Sequence, residues 1–446
     1  ANNGKKGAVH IDLPKCILNE QFTKQTEKYI PSLSKIISYK KNFSCKQSYE
    51  YTSKDYTHII SLIESSQCPV LYVGKGCNHV SYMLRYFAKK YNIPVTTTIH
   101  ALGVFNENHP LSLEMVGMHG SVAANYAIQS ADLIIAIGSR FDDRTTGSLN
   151  HYAPEAVKAG KENRGGIIHV NIEESEINKV VKADYSFCQD AEIFLKNILQ
   201  NSKGKNHVSS VRKQWLAKIS QWKRTHPFKY DNAPYNYIKT QDVIKEINNE
   251  LSNINQDYLI TTGVGNHQMY TAQFIKWTKP QSMITSGSLG VMGVGLPYAI
   301  GCQIANPNLL VIDIDGDGSF HHTLAELKTI YDYKLPVKIA IMNDRHMSMV
   351  RVWEDLFFHK RYTATALTNN PDYVSLAESF KIKAIECSKK NELNHKIKYF
   401  LNYKGPILCN FKTETDMCLP LVGPGKALDD MILDKNNILV SGSAPN

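Results

Sequence analysis

The sequence predicts an α/β protein made of two parallel-sheet domains, and three observations carry that expectation. Apolar runs of strand length recur along the chain, most of them ending in Gly, Asp or Thr. Stretches of helical length lie between the runs, which is the rhythm of a parallel sheet covered on both faces. A polar, lysine-rich stretch over 200–236, with Pro227 and Pro234, parts the runs into two sets.

In the first set, 69–74 reads as a strand ending in Gly-Lys-Gly, followed by a helical stretch over 83–91. Strand 93–98, helix 122–130 and strands 133–138 and 166–172 follow. In such sheets ligands bind beyond the carboxyl ends of the strands, which here carry Gly74-Lys75-Gly76, Thr96-Thr97-Thr98 and Gly138-Ser139-Arg140. The stretch 200–236 reads as a surface helix and connector. In the second set the expected strands are 258–262, 283–285, 309–314, 337–342 and 406–411, with helices including 295–305 and 371–380.

Composition narrows the classes. A chain of 446 residues, 43% hydrophobic, suits two or three folded units. No apolar run approaches the roughly 18–20 residues of a membrane span, so no membrane partner is expected. The net charge of +10 sits largely in connectors such as 40–46 and 203–223, without the aromatic-laced basic stripe of a nucleic-acid binder. It could help attract anionic metabolites. Nine cysteines form no CxxC pair, which fits a reducing compartment. The chain opens on Ala1 with neither a signal peptide nor a transit helix, so further sequence upstream is expected.

The strongest chemical signal is Gly316-Asp317-Gly318, then 24 residues beginning Ser319-Phe320, then Asn343-Asp344. Gly316 should permit a tight turn after strand 309–314, and Gly318 should let backbone N–H groups approach a phosphate at a helix start. Asp317 and Asp344 would sit at neighbouring strand ends, where two carboxylates, a backbone carbonyl and diphosphate oxygens suit octahedral Mg²⁺. The plainer alternative is a pair of ordinary Asp/Asn turns.

This spacing resembles the cofactor signature of thiamine-diphosphate enzymes. The stretches Thr261-Thr-Gly-Val-Gly-Asn-His-Gln268, Thr285-Ser-Gly-Ser-Leu-Gly-Val-Met-Gly293 and Arg140-Phe-Asp-Asp-Arg-Thr-Thr-Gly147 are similar to acetohydroxyacid synthases in particular. The likeness runs from about Gly7 to Leu433 and is closest to fungal forms over Arg164-Gly-Gly-Ile-Ile-His169. The resemblance implies that Val264, Gly265, Asn266, His267, Gly290, Ser319 and the turn Met347-Ser348-Met349 meet the thiamine diphosphate, and that His346 gives Mg²⁺ its backbone carbonyl. It sets Met292 under the thiazolium; the alternative for that residue is core filler. The family commonly has Asn where Asp344 stands, an exchange that keeps a suitable oxygen.

The resemblance makes the first α/β unit a flavin domain. Gly74, Lys75, Gly76, Asn78, Thr98, Ile99, His100, Met118, His119, Gly120, Gly138, Ser139, Arg140, Asn171, Ile172 and Asp190 would line FAD, which has a structural role. Lys5 stands where an arginine often touches that flavin. Met349, Trp353 and Phe357 recur every four residues and so share a helical face, ordinarily a buried stripe. In the family a tryptophan at Trp353 packs on the alkyl group of the second 2-ketoacid. Arg144 matches the arginine holding that acceptor's carboxylate, the alternative being an ion pair with Asp142 or Asp143. His321-His322 reads as surface rather than zinc.

Residues 7–15 resemble the last strand of the family's pyrimidine-binding domain, with Lys15 at the substrate channel. The implied layout is 1–20 remnant of that domain, 21–55 linker, 56–200 FAD domain, 201–236 linker and 237–446 diphosphate domain. The glutamate that the family uses on the aminopyrimidine has no counterpart here, so weak cofactor binding and little turnover are expected of the chain by itself. The implied reaction condenses pyruvate with pyruvate or 2-ketobutyrate, releasing CO₂, in branched-chain amino-acid synthesis. A homodimer or larger assembly, a possible regulatory subunit and a mitochondrial, plastid or cytoplasmic setting go with it. The alternatives are another thiamine-diphosphate decarboxylase or carboligase, or a non-catalytic remnant.

Overall fold

A computed structural model of the chain describes residues 10–13, 50–202, 210–254 and 256–435. Lys5 and Lys15 fall outside the described residues, and the described part of 7–15, residues 10–13, is exposed without regular structure.

The first unit is a six-stranded sheet in the order β3-β2-β1-β4-β5-β6, parallel throughout. Its strands are β1 Pro69–Val73, β2 Val95–Thr97, β3 Ser112–Met115, β4 Leu133–Ile137, β5 Gly166–Asn171 and β6 Tyr185–Cys188. The central strands β1 (PVLYV) and β4 (LIIAI) are buried along their whole length. That burial is why they read as continuous apolar runs rather than alternating ones. The chain steps outward from β1 to β3, then crosses back to β4, so the strand order reverses between β1 and β4. Such a reversal opens a crevice at the carboxyl ends of the two strands.

The second unit repeats the principle. Its order is β12-β13-β11-β10-β8-β9, with β7 pairing on β13. Here β7 is Ile238–Lys239, β8 Tyr258–Thr262, β9 Met283–Ile284, β10 Leu310–Gly316, β11 Lys338–Asn343, β12 Lys383–Cys387 and β13 Ile407–Glu414. The reversal lies between β8 and β10. After β13 the chain returns to the first unit: Val422 N–H donates to the Met118 carbonyl at 2.9 Å and Ser148 N–H to that of Lys426 at 2.9 Å.

Every strand expected from the sequence is present, displaced by no more than three residues at an end. Within these two sheets four were not anticipated: β3, β6, β7 and β12. They are short and rich in polar or charged residues (SLEM, YSFC, IK, KAIEC), and three lie at sheet edges, where one side of the ladder is open and apolar continuity is not required. The helix expected on the surface, Ser210–Thr225, is instead packed along one face. Trp215 and Ile219 are buried, and the buried Arg212 guanidinium donates to the carbonyls of Ile63, Ser66 and Tyr91. One more correction concerns Gly316. It ends β10 in extended backbone (φ −86°) and makes no tight turn. A side chain there is excluded by space, because a Cβ would lie 2.6 Å from His267 Nδ1.

Candidate active site

Turns after β8, β9, β10 and β11 converge at the reversal in the second sheet. Gly265 adopts φ +151°, ψ −163°, backbone that a side chain opposes, and it opens the helix Asn266–Phe274. Gly263, one turn earlier, has no room for a Cβ: it would sit 1.8 Å from Asp315 Oδ1 and 2.2 Å from Ser319 Oγ. The hydroxyl oxygen of Ser319 accepts from Gly293 N–H at 2.9 Å and Val264 N–H at 3.4 Å, tying three turns together and leaving its own proton to donate.

These turns enclose a cavity of about 180 Å³. Its lining includes every residue expected at the diphosphate and the metal: Val264, Gly265, Asn266, His267, Gly290, Met292, Gly316, Asp317, Gly318, Ser319, Asp344, His346, Met347, Ser348 and Met349. Asp317 and Asp344 both line it. The register of β10 with β11 pairs Gly316 with Met342, which sets the two strand ends side by side. Asp317 Oδ2 accepts from Asn370 Nδ2 at 2.6 Å. Asp344 accepts from Ser348 Oγ and, at 3.1 Å, from His346 N–H. The His346 ring is engaged with the backbone, its Nδ1 2.8 Å from the Asp344 carbonyl oxygen.

The donor set suits a divalent ion. Burial pushes Asp317 up to about 7, with the charge of Asp344 adding to the effect, and burial raises Asp344 to about 6. A dication would remove that penalty. Asn266 Oδ1 is buried without a hydrogen-bond partner, as a polar atom awaiting a ligand would be, while His267 Nε2 lies 3.4 Å from the buried Asp315 Oδ1. The sign of the pH dependence follows. Both folded values lie above the ordinary carboxyl range, so the metal-free fold holds this contribution below about pH 4 and loses it as pH rises towards 7. Metal ligation needs the deprotonated forms and strengthens over the same interval. The rise in melting temperature on adding Mg²⁺ with thiamine diphosphate should therefore be larger at pH 8 than at pH 5.5. Equal rises at the two pH values would contradict the assignment of these carboxyls as ligands.

At the reversal in the first sheet lies a larger cavity, about 980 Å³. Gly74 and Gly138, from the ends of β1 and β4, press on each other: a Cβ on Gly74 would meet the Gly138 carbonyl oxygen at 2.2 Å. Gly138 itself has φ +63°. Replacing Gly74 by Ala should cost about 2–3 kcal/mol, since the obstacle is backbone; an unchanged urea midpoint would contradict that packing. The lining holds fifteen of the sixteen residues expected at the flavin. Gly120 is the exception. It is buried in a turn, its N–H donating to the Gly117 carbonyl, and a Cβ there would meet backbone 2.5 Å away. Asn78 Oδ1, His119 Nε2 and Ser139 Oγ are buried without partners, and burial lowers His119 to about 4 and so keeps it neutral. These groups could accept or donate to a dinucleotide. Asp190 caps the helix Ala191–Asn201 and lies 3.0 Å from His79 Nε2.

Val264, Gly290 and Met349 line both cavities, so the two adjoin. Trp353 and Arg144 face the larger one. The stripe of Met349, Trp353 and Phe357 is half-buried; the buried face of helix Ser348–Phe357 is Val352, Glu354 and Leu356. The Arg144 side chain is 63% exposed and its nearest carboxylate, that of Asp143, is 3.9 Å away and itself exposed, a weak ion pair. His322 is on the surface as expected, but His321 is half-buried, with Nε2 2.8 Å from the Tyr373 hydroxyl. The seven described cysteines are free thiols. Among the described residues no helix is long and apolar enough to cross a membrane.

Sequence reading missed Asn370, which reaches Asp317 from a segment whose Asn-Pro-Asp sequence signals only a helix start. No local pattern could have supplied it, because the contact spans 53 positions.

Comparison with known proteins agrees with the geometry. Residues 56–198 match the central domain of thiamine pyrophosphate enzymes, and residues 263–411 match their C-terminal thiamine-pyrophosphate-binding domain. The mitochondrial acetolactate synthase catalytic subunit of Saccharomyces cerevisiae is 40% identical over 97% of this chain and 62% of its own length. The mitochondrial acetolactate synthase of Schizosaccharomyces pombe is 42% identical over 98% of this chain and 65% of its own. The acetolactate synthase large subunit of Cyanidium caldarium is 38% identical over 97% of this chain and 71% of its own. The chain thus spans less than two thirds of the two yeast proteins. With both cofactor-domain matches and this breadth of identity, the chain belongs to the acetolactate synthase family of thiamine-pyrophosphate enzymes.

Proposed function

We propose that this chain carries the diphosphate, metal, flavin and acceptor sites of an enzyme that joins pyruvate to pyruvate or 2-ketobutyrate with loss of CO₂, giving 2-acetolactate or 2-aceto-2-hydroxybutyrate. The reading assigns 56–200 to FAD and 237–446 to the diphosphate, joined by the linker 201–236. The observation that carries it is the adjacency of the two cavities, with Asp317 and Asp344 in one and Arg144 and Trp353 in the other. The names of both yeast relatives support a mitochondrial setting, and that of the Saccharomyces cerevisiae protein supports a role as catalytic subunit, which implies a regulatory partner. We extend to this chain the homodimer that the family resemblance implies.

In this reading Asp317, Asp344 and the His346 carbonyl hold Mg²⁺, while the amides and side chains of 264–267, with Ser319, hold the diphosphate against it. Thiamine diphosphate, when bound, supplies the electron sink for decarboxylation and carbon–carbon bond formation. Met292, in the lining of the small cavity, supports the thiazolium. Arg144 fixes the acceptor carboxylate by a guanidinium fork, and the half-buried Trp353 ring packs on the acceptor's alkyl group. FAD fills the larger cavity and shapes its wall.

Competition between pyruvate and 2-ketobutyrate as acceptors tests the reading. One methylene in an apolar pocket is worth about 1–3 kcal/mol. Trp353→Leu should lower the product ratio in favour of acetohydroxybutyrate by about 10-fold or more. An unchanged ratio would remove Trp353 from the acceptor site, and an absence of either product when the chain is supplied with a pyrimidine-binding domain would overturn the activity.

A further inference from the structure

Four side chains form a line of hydrogen bonds that crosses the carboxyl edge of the second sheet and ends on Asp317. Asn410 Nδ2, on β13, donates to Glu386 Oε2 on β12 at 3.1 Å. Asn343 Nδ2, on β11, donates to Asn410 Oδ1 at 3.1 Å. Asn370 Nδ2 donates to Asn343 Oδ1 at 3.1 Å and to Asp317 Oδ2 at 2.6 Å. Asn410 and Asn343 are buried, at 3% and 7% exposure, so each amide must find its partners within the line.

The direction of this line is dictated from its ends. An amide can face a neighbour with its oxygen or its NH₂, and a run of amides alone would be free to point either way. Glu386 removes that freedom. Its Oε1 is paired with Lys412 at 2.7 Å, and its Oε2 can only accept, so Asn410 must present NH₂ to it. Asn410 then turns its oxygen to Asn343, Asn343 its oxygen to Asn370, and Asn370 is left with its NH₂ directed at Asp317. A carboxylate at each end makes the polarity self-consistent.

The segment bearing Asn370 is pinned independently. Leu367 N–H donates to the Arg345 carbonyl and Met347 N–H to that of Thr365, both at 2.7 Å. The buried Glu354, neighbour of Trp353 in its helix, accepts from Thr363 N–H and Thr365 Oγ1, each at 2.8 Å. The segment is therefore a strap laid over the turns that carry Asp317 and Asp344.

We propose that Asn370 is a positioning residue for the metal site: the line from Glu386 aims its NH₂ at Asp317 Oδ2, which fixes the carboxylate so that Oδ1 is offered to Mg²⁺. This rests on the metal site proposed above. Hydrogen-bond partners of metal ligands are typically worth about 10–100-fold in metal affinity.

Mn²⁺ titration of this chain in the presence of thiamine diphosphate, followed by the electron paramagnetic resonance signal of free Mn²⁺, tests it. Melting temperature without metal is recorded in parallel. Asn370→Ala should weaken Mn²⁺ binding about 10–100-fold while its metal-free melting temperature stays near that of the native chain. Asn370→Asp, of the same size and unable to donate once ionised, should at pH 8 weaken it at least as much. Glu386→Gln, 24 positions from Asn410 and outside the cavity, should weaken it by a smaller factor, because the amides regain the freedom to flip. Native affinity in both Asn370 variants, with Asp317→Asn still abolishing binding, would overturn this proposal and leave the metal site standing. Native affinity in Asp317→Asn as well would overturn the metal site itself. Should Asn370→Ala melt lower without metal, the isosteric Asp variant decides: native Mn²⁺ affinity in it overturns the proposal, and weakened affinity upholds it.

Discussion

Replacing Asp317 by Asn should weaken Mg²⁺-dependent binding of thiamine diphosphate by about 100-fold or more, the largest single-residue effect expected in this chain. Removing one partner of a buried, paired charge typically costs about 3–5 kcal/mol, and each 1.4 kcal/mol is a factor of ten in affinity. The same change should have the opposite effect on the metal-free protein. Asp317 is 2% exposed, and burial raises its carboxyl to about 7, so at pH 8 the ionised group strains the empty fold. Asp317→Asn should then melt higher than the native chain without metal, yet gain nothing from Mg²⁺ and thiamine diphosphate. Calorimetric titration and thermal melting read the two effects separately. A variant that binds as the native chain does would remove Asp317 from the site. Asp344→Asn should be much milder, since the acetolactate synthase pattern commonly carries Asn at that position, where an amide oxygen serves a hard cation.

Substituting Arg144 by Ala should lower kcat/KM for the acceptor 2-ketoacid by about 10- to 100-fold, with the binding of thiamine diphosphate and FAD unchanged. Hydrogen bonds to charged groups contribute about 1.5–3 kcal/mol each, and the guanidinium lies at the open side of the cavity, where water screens it. Arg144→Lys should recover only part of the loss, because an ammonium ion cannot reproduce a two-pronged contact with a carboxylate. The weakness of the ion pair with Asp143, at 3.9 Å, is what leaves this side chain free to serve a substrate. Steady-state kinetics with the acceptor varied would settle the point, and an unaltered kcat/KM would return Arg144 to the surface.

Much of the fold was legible because its central strands are buried on both faces. Sequences such as LIIAI in β4 and KIAIMN in β11 leave few alternatives once helical stretches flank them. The edge strands were hidden for the converse reason: SLEM in β3 and KAIEC in β12 meet solvent and mix polar with apolar residues. The glycine-rich turns were also legible, since a glycine at the end of a strand reports either unusual backbone, as at Gly265, or lack of room, as at Gly74. What sequence alone did not separate was which of the two applied. Gly316 was expected to turn and proved to be a matter of space. Gly120 matched a flavin position but turned out to close its own loop.

The residues proposed to position the site were the least visible. Asn343 was read only as part of a motif, while Asn370, Asn410 and Glu386 drew no notice, because amides and a carboxylate scattered over strands have no spacing signature. They become a unit only when β10, β11, β13 and β12 are laid side by side. Glu354 is a similar case: a charged residue in an amphipathic helix, buried because it pins the strap rather than facing solvent.

The central claim is that Asp317 and Asp344 share one divalent ion with a diphosphate, and electron–nuclear double resonance of bound Mn²⁺ addresses it most directly. With thiamine diphosphate present, the native chain should give a strong phosphorus coupling from phosphate oxygen bound to the metal. That coupling should vanish with bound metal in Asp317→Asn and persist in Asp344→Asn. Tightly bound Mn²⁺ without phosphorus coupling, or an unchanged spectrum in Asp317→Asn, would contradict the account.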